Sequence, residues 1–412
     1  EKDWAMRLDY DIVKDISKEY GKAFYLLDTE QFALNFRELQ DAFRSFYPET
    51  YIAYSYKTNY IPRLCGLVEE LGGYAEVVSD MEYEIARRLG IPAHKVHFNG
   101  PVKNADAVNE VVMGGGVVNL DDYVEVGNIL QLAAAHPDRT INVGIRCNFE
   151  INDGVVSRFG FDVRKPGFGE MVSRLQAVEN IRVAGLHCHF ASRRLDTWRP
   201  RADGMAALAE KLCGGTPDHI DLGGGMFGKM RDSLKRQFDT PIPTYMEYAA
   251  EAAATMEKHF GGRRGKPKLF IEPGSALVGD AMRFVARVES IKNIRGKDIA
   301  TLMGSIYNIN PTLNKKNPPV EVMHEEGRQA AEYRDIDFAG FTCIETDYLY
   351  RGYEGALAVG DFVAFENVGS YSVVLKPPFI LPNFPVLELR DGRVTVVKRQ
   401  ETFDDIFRTY VF

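Results

Sequence analysis

Short runs of β-branched and aromatic residues punctuate the chain at 51–56, 74–78, 95–98, 116–120, 141–146, 183–189, 219–222 and 268–272. Between them, apolar residues recur at the three-to-four-residue period of amphipathic helices, as at 61–71, 81–89, 104–113, 123–135 and 245–259. Eight strands alternating with helices over about 240 residues is the arithmetic of a (β/α)₈ TIM barrel, with a doubly wound open sheet as the competing arrangement. After residue 272 the rhythm changes. Residues 281–294 alternate apolar and polar positions, and 361–367 and 393–399 read as strands bounded by Gly and Asp turns, with no regular helices between them. The pattern predicts a barrel over 28–275 and a second, mainly antiparallel β domain, sandwich- or barrel-like, built from 276–412 plus 1–27. The boundary should fall near 274–279.

Composition narrows the class. At roughly 150 residues per domain, 412 residues make two or three domains, or one large barrel with a smaller module. With 50 Lys and Arg against 58 Asp and Glu, the net charge of −8 argues against a nucleic-acid partner, because phosphate binding wants a surplus of cations. No apolar run approaches the roughly 18 residues that cross a bilayer, so no membrane partner is expected. The opening Glu1-Lys2-Asp3-Trp4 lacks the basic and then apolar pattern of a signal peptide. The five cysteines (65, 147, 188, 213 and 343) are odd in number and widely spaced, against both a disulfide framework and a structural zinc site. A cytoplasmic protein is expected.

Barrel chemistry gathers at the carboxyl ends of the strands. There the sequence places Lys57 directly after a hydrophobic strand, His187-Cys188-His189 followed by Ser192, Asp221 running into Gly223-Gly224-Gly225, and Glu272-Pro273-Gly274. His187 and His189 fall on the same face of a strand, but no third ligand at usable spacing accompanies them, so no metal is expected. Singly, each feature has an ordinary explanation: a solvated lysine, a turn, a capping carboxylate. Together they meet four needs of pyridoxal 5'-phosphate. A lysine among hydrophobic walls forms an imine with the aldehyde, and a glycine loop lets backbone N–H groups approach the phosphate. A carboxylate keeps the pyridine nitrogen protonated, and an imidazole covers the ring.

These residues carry a resemblance. The chain is similar, over nearly its whole length, to the barrel-fold (fold-type III, alanine racemase-like) pyridoxal-phosphate decarboxylases, the group of ornithine, diaminopimelate and arginine decarboxylases. The motifs, in the family's order, are Tyr56-Lys57-Thr58-Asn59, Glu76-Val77-Val78-Ser79, Ser157-Arg158-Phe159-Gly160, Gly185-Leu186-His187-Cys188-His189, Gly223-Gly224-Gly225, Glu272-Pro273-Gly274, Cys343 with Asp347, and Gly369-Ser370-Tyr371. The resemblance implies that Lys57 holds the cofactor and His189 stacks on its ring. It assigns the phosphate to Ser192, Gly223, Gly224, Gly225 and Tyr371 and the pyridine nitrogen to Glu272, and counts Gly274 and Ser275 among the cofactor-binding residues. Cys343, on the β domain, would return a proton to the carbanion. It further implies a homodimer in which one subunit's β domain completes the other's barrel site, with Arg158 and Asp347 matching positions that pair across that boundary. A carboxylate at the ring nitrogen favours decarboxylation, whereas the racemases of this class place an arginine there.

Three positions depart from the family. The phosphate-binding arginine after Glu-Pro-Gly is Ser275. The acidic residue that follows the cysteine in enzymes gripping a distal amine is Ile344, with Glu345 one place on. Where diaminopimelate enzymes carry an Arg and then a Tyr, the segment Ile309-Asn310-Pro311-Thr312-Leu313-Asn314 has Asn at both places. Asn310, Ile344, Glu345 and Asp347 are thus the candidate substrate residues. The expectation is an amino-acid decarboxylase for a diamino acid or a larger conjugate, in specialised metabolism. The alternatives are diaminopimelate, ornithine or lysine decarboxylase proper, a racemase or epimerase, and a non-catalytic binding homologue.

Overall fold

The computed structural model describes residues 8–390 and 392–412. The leader reading of residues 1–4 therefore lies outside the described residues. The chain groups into two compact units: one of Ala33–Phe227 and Ile242–Ala276, the other of the residues up to Phe32 with Gly228–Pro241 and Leu277–Phe412. The segment Gly228–Pro241, inside the range predicted for the barrel, groups with the second unit.

The first unit is a closed barrel of eight parallel strands: β1 (Thr50–Ser55), β2 (Tyr74–Val77), β3 (Val96–Phe98), β4 (Val117–Leu120), β5 (Ile141–Asn148), β6 (Ile181–His187), β7 (His219–Asp221) and β8 (Lys268–Ile271). Each pairs in parallel with the next, and β8 pairs with β1 to close the ring. Burial of both faces explains why these strands read as apolar runs. The helices between them start on their own caps. The Ser79 hydroxyl accepts from the Glu82 amide ahead of the helix Asp80–Arg88, and Asp122 accepts from Val124 and Glu125 ahead of Tyr123–Ala135. Thr244 and Glu247 make a reciprocal capping box at Tyr245–Phe260. Inside the ring an aromatic layer fills the core, with Phe270 4.3 Å from His97 and 4.9 Å from Tyr74, centroid to centroid.

One strand differs from its prediction in a way that bears on chemistry. The run 183–189 implied a strand carrying both histidines, but β6 ends at His187. His189 lies on the loop beyond it, so the two rings do not share a strand face.

The second unit is a nine-stranded, mainly antiparallel sheet. Its long strand Met282–Ile294 pairs antiparallel with Ala23–Leu27, Lys297–Leu302 and Phe362–Phe365. The amino-terminal segment thus contributes a strand to this sheet. The helix Tyr10–Tyr20 sets Tyr10, Val13 and Ile16 on a cluster with Phe24, Leu26, Val285 and Phe362. Among the described residues no helix is long and apolar enough to cross a membrane. All five cysteines are free: Cys65, Cys147 and Cys188 are buried, and Cys343 is exposed.

Candidate active site

Lys57 sits in the helical turn Tyr56–Thr58 that follows β1 directly. Its side chain is 33% exposed, and Nζ lies 2.5 Å from Oε2 of Glu76, which is 1% exposed at the end of β2. The Ser55 hydroxyl donates to the same oxygen at 2.6 Å, and Lys57 Nζ is 2.7 Å from that hydroxyl. The turn leaves no space beside it: a Cβ on Gly274 would come within 2.0 Å of Thr58 Oγ1.

From Glu76 a chain of hydrogen bonds crosses the barrel mouth. The Asn99 amide donates to Glu76 Oε1 at 3.0 Å and to Glu272 Oε1 at 2.5 Å. Asn119 donates to Asn99 at 2.7 Å, which fixes the orientation of the Asn99 amide. Glu272, one residue past β8, meets His187 Nε2 at 3.2 Å. Because a carboxylate only accepts, that nitrogen carries the hydrogen. Burial alone would raise the Glu272 pKa, but the His187 contact and the Lys57 charge hold it well below the usual carboxylate range. Asp221 at the end of β7 behaves in the opposite way. Burial and the neighbouring Glu272 charge raise it well above its ordinary value. His97, 3.2 Å from Asp221, is pushed down to about 4 by burial. Two buried carboxylates, Glu76 paired with Lys57 and Glu272 supported by His187, thus lie beside Asp221 and His97, which burial drives toward their uncharged forms. His97, Asp221 and Glu272 bring one ligand atom each to within 4.8 Å of one another. Their atoms are already engaged with one another or with His187, Asn99 and the Gly223 amide.

His189, 27% exposed on its side chain, accepts the Gly224 N–H at Nδ1 over 3.0 Å. Burial and the Lys57 charge depress its pKa well below the ordinary value. It is a neutral ring. The three glycines follow β7 in a turn that glycine alone adopts readily, with φ of +69° at Gly223 and +91° at Gly225. The turn is packed so tightly that a Cβ on Gly224 would lie 2.3 Å from the Glu272 carbonyl oxygen, and one on Gly223 2.4 Å from that of Cys188. Behind it the fully buried Arg201 binds the carbonyls of Gly224 (2.7 Å), Ser192 (2.7 Å) and Phe190 (3.4 Å). A trans peptide points its N–H opposite its C=O. The amides of Gly225, Arg193 and Ala191 therefore face away from Arg201. The Gly225 and Arg193 amides have no protein acceptor among the described residues.

Lys57, His189, Ser192, the three glycines, Glu272, Gly274 and Ser275 all belong to the barrel unit. Cys343, Ile344, Glu345, Asp347, Asn310 and Tyr371 belong to the other. There Cys343 and Glu345 are exposed and Ile344 is half-buried. Asp347 is buried, and its two oxygens accept from the Ser305 hydroxyl, the Ile306 amide, and the hydroxyl and amide of Thr342. Four donors fill a carboxylate. Arg158, expected opposite it across a dimer, is exposed and stacks on Phe159 at 4.1 Å. Asn310 stitches its own loop, donating to the Asn314 carbonyl and accepting from Thr312 and Asn314. Tyr371 holds a φ of +64°, a costly conformation for a bulky residue.

Sequence reading singled out the glycine loop but missed the residue behind it. Arg201 lies in the helix Trp198–Cys213, where a charged residue would ordinarily be placed on the solvent side. Asn99 and Asn119 were missed as well. Asn99 directly follows β3 and Asn119 lies within β4, polar positions in short strands whose weak signal barrel closure alone turns into a network.

Residues 34–279 match the family described as pyridoxal-dependent decarboxylase, pyridoxal binding domain. The diaminopimelate decarboxylase of Methanocaldococcus jannaschii is 26% identical, over 96% of this chain and 92% of its own. A crystal structure of diaminopimelate decarboxylase from the same organism superposes with a TM-score of 0.86 at 23% identity, covering 97% of this chain and 94% of that one. The lysine decarboxylase of Selenomonas ruminantium shares the fold at a TM-score of 0.75 and 21% identity, covering 94% of this chain and 97% of that one.

Proposed function

We propose that this chain, which belongs to the family of pyridoxal-dependent decarboxylases, removes the α-carboxylate of an amino acid at a centre built on Lys57. Pyridoxal phosphate is its cofactor, and decarboxylation of an amino acid is its reaction class. The observation that carries the assignment of roles is the continuous path Lys57–Glu76–Asn99–Glu272–His187, which joins the lysine after β1 to a carboxyl held below its ordinary range.

The residues fit the group. The crowded glycine turn has room for no side chain, and its Gly225 and Arg193 amides lack a protein acceptor, which suits a phosphate. When bound, the cofactor supplies an aldehyde for an amine and a ring that takes up the electron pair left by the departing carboxylate. The Lys57 amine is its attachment point. Glu272 would hold a proton on the ring nitrogen, its charge supported by His187 and Asn99. His189 offers an uncharged face to the ring, its Nδ1 lone pair engaged by the Gly224 N–H. Ser192, Gly223, Gly224, Gly225, Gly274, Ser275 and Tyr371 form the phosphate set.

Cys343 Sγ would return a proton to Cα once CO₂ has left. Its exposed thiol supports that role, and its position in the family motif supports a homodimer in which it serves the barrel of the other subunit. The substrate reading rests on two side chains. Ile344 has no charge for a distal ammonium, and Asn310 spends its amide within its own loop. A site built for a charged group seldom accepts a replacement well. We therefore place the substrate among diamino acids or larger amino-acid conjugates of specialised metabolism. Diaminopimelate itself is the second reading, favoured by the name of the relatives.

The test is a CO₂-release screen over basic, acidic and conjugated amino acids of both hands, run in deuterated water. Release of CO₂ with one deuterium at Cα of the amine supports the proposal. Deuterated amino acid without CO₂ makes the protein a racemase, and no exchange with any substrate makes it a binding homologue. Turnover confined to diaminopimelate selects the second reading.

A further inference from the structure

We propose that Arg193 supplies the phosphate-binding charge that the chain lacks at position 275. The inference rests on pyridoxal phosphate occupying the barrel mouth. Its observations belong to the loop after β6 and are independent of Lys57.

Ser275 gives the phosphate a hydroxyl where the family resemblance implies an arginine, and a neutral donor makes a bond about half as strong as a charged one. Arg193 stands beside that vacancy of charge, its Nη2 3.5 Å from Ser275 Oγ. Its backbone is clamped on both sides: Arg201 binds the Ser192 carbonyl, and the Tyr248 hydroxyl binds the Arg193 carbonyl at 2.6 Å. The guanidinium lies over the Phe227 ring, 5.4 Å from its centroid, so the side chain is steered as well as the backbone. Among the described residues no carboxylate lies within ion-pair distance of Arg193. The contrast with its neighbour is informative. Arg194 forks onto both oxygens of Asp196, so its charge is spoken for.

The rim thus gathers a guanidinium without a counter-ion, the Ser275 hydroxyl, and the Gly225 and Arg193 amides that face away from Arg201. Gly225 packs against the same loop, since a Cβ there would meet the Ser192 and Phe190 carbonyl oxygens at 2.9 and 3.0 Å. A half-buried cation, one hydroxyl and two backbone N–H groups match a dianionic phosphate monoester. The family resemblance implies a charge from the residue after Glu-Pro-Gly. Here it comes from the loop after β6, across the same rim.

The assignment is tested by binding. Cofactor is removed from the purified holoenzyme, and the protein is titrated with pyridoxal phosphate and with pyridoxal, which lacks the phosphate, following absorbance of the bound aldehyde. Arg193→Ala is expected to weaken pyridoxal phosphate by about 10- to 100-fold, the range of one charged hydrogen bond, and to leave pyridoxal within about 2-fold. Arg194→Ala should bind both as the wild type does. The double variant Arg193→Ala/Ser275→Arg, with the cation returned to its place in the relatives, should recover most of the loss. Equal weakening of both compounds in Arg193→Ala would overturn the assignment, as would unchanged affinity for pyridoxal phosphate. Wild-type protein that takes up neither compound overturns the cofactor reading together with it.

Discussion

Asp221 and Glu272 lie at the ends of neighbouring strands of one barrel, are both buried, and are pushed in opposite directions, Asp221 above and Glu272 below its ordinary carboxyl value. The difference has a local cause. Glu272 has the His187 contact and the Asn99 amide to support a charge, whereas Asp221 faces a neutral His97. Substitution should therefore split them. Asp221→Asn replaces a neutral acid by a neutral amide and should change kcat less than about 3-fold, within about 1 kcal/mol. Glu272→Gln removes the charge at the ring nitrogen and should lower kcat by about 10²- to 10³-fold, the scale of losing one preorganised electrostatic contact. Steady-state kinetics with matched denaturation curves decides between them.

Acid should destabilise the fold through its imidazoles. His97, His189 and His219 are all held below the ordinary histidine value by burial. The unfolded chain binds protons there below about pH 6.5 and the folded chain does not, so stability is present above that pH and is lost as pH falls. Asp221, Glu82, which burial pushes up to about 7, and Asp28 and Glu125, which burial also raises, act in the other direction by keeping protons when folded. Substitution isolates the share of one imidazole. Urea midpoints measured from pH 7 to 4.5 should fall less steeply in His97→Asn than in the wild type. The same pH dependence in both proteins would refute this share.

The glycine turn admits no side chain. In Gly224→Ala the added methyl would press on the Glu272 carbonyl, a backbone atom that can yield only by moving the carboxylate. Cofactor affinity should drop at least about 10-fold, with a loss of about 1–3 kcal/mol in stability, the usual cost of overpacking. Spectroscopic titration and thermal unfolding report the two effects separately.

How much of this was legible in the sequence differs by kind of residue. The barrel strands follow from local chemistry: predicted 51–56 is Thr50–Ser55, and predicted 123–135 is the helix Tyr123–Ala135, because burial of both strand faces and a regular helical stripe leave marks within ten residues. The helix Trp198–Cys213 was not predicted, since Pro200, Arg201 and Gly204 interrupt its stripe; Arg201 is buried only because three loop carbonyls receive it. The strand Ala23–Leu27, wholly buried and five residues long, has no polar alternation to read. At the site, Lys57 and Glu272 stand out by type and place. Glu76, Asn99 and Asn119 gain meaning only when β2, β3, β4 and β8 are brought round a ring, a relation between distant residues that no local pattern records.

If the homodimer shares its sites as proposed, two dead variants should rescue each other. Lys57→Ala lacks the attachment point and Cys343→Ala the returning acid. Unfolded and refolded together, they should form mixed dimers in which one of two sites is intact, giving roughly a quarter of wild-type activity. Recovery no greater than either variant alone would place both residues of a site in one subunit.

The central claim is that Lys57 carries the cofactor. Borohydride reduction of the holoenzyme followed by peptide mass mapping tests it most directly. The account predicts a single modified peptide bearing the phosphopyridoxyl mass on Lys57, absent from Lys57→Ala; the same mass on another lysine, or no stable label at all, would contradict it.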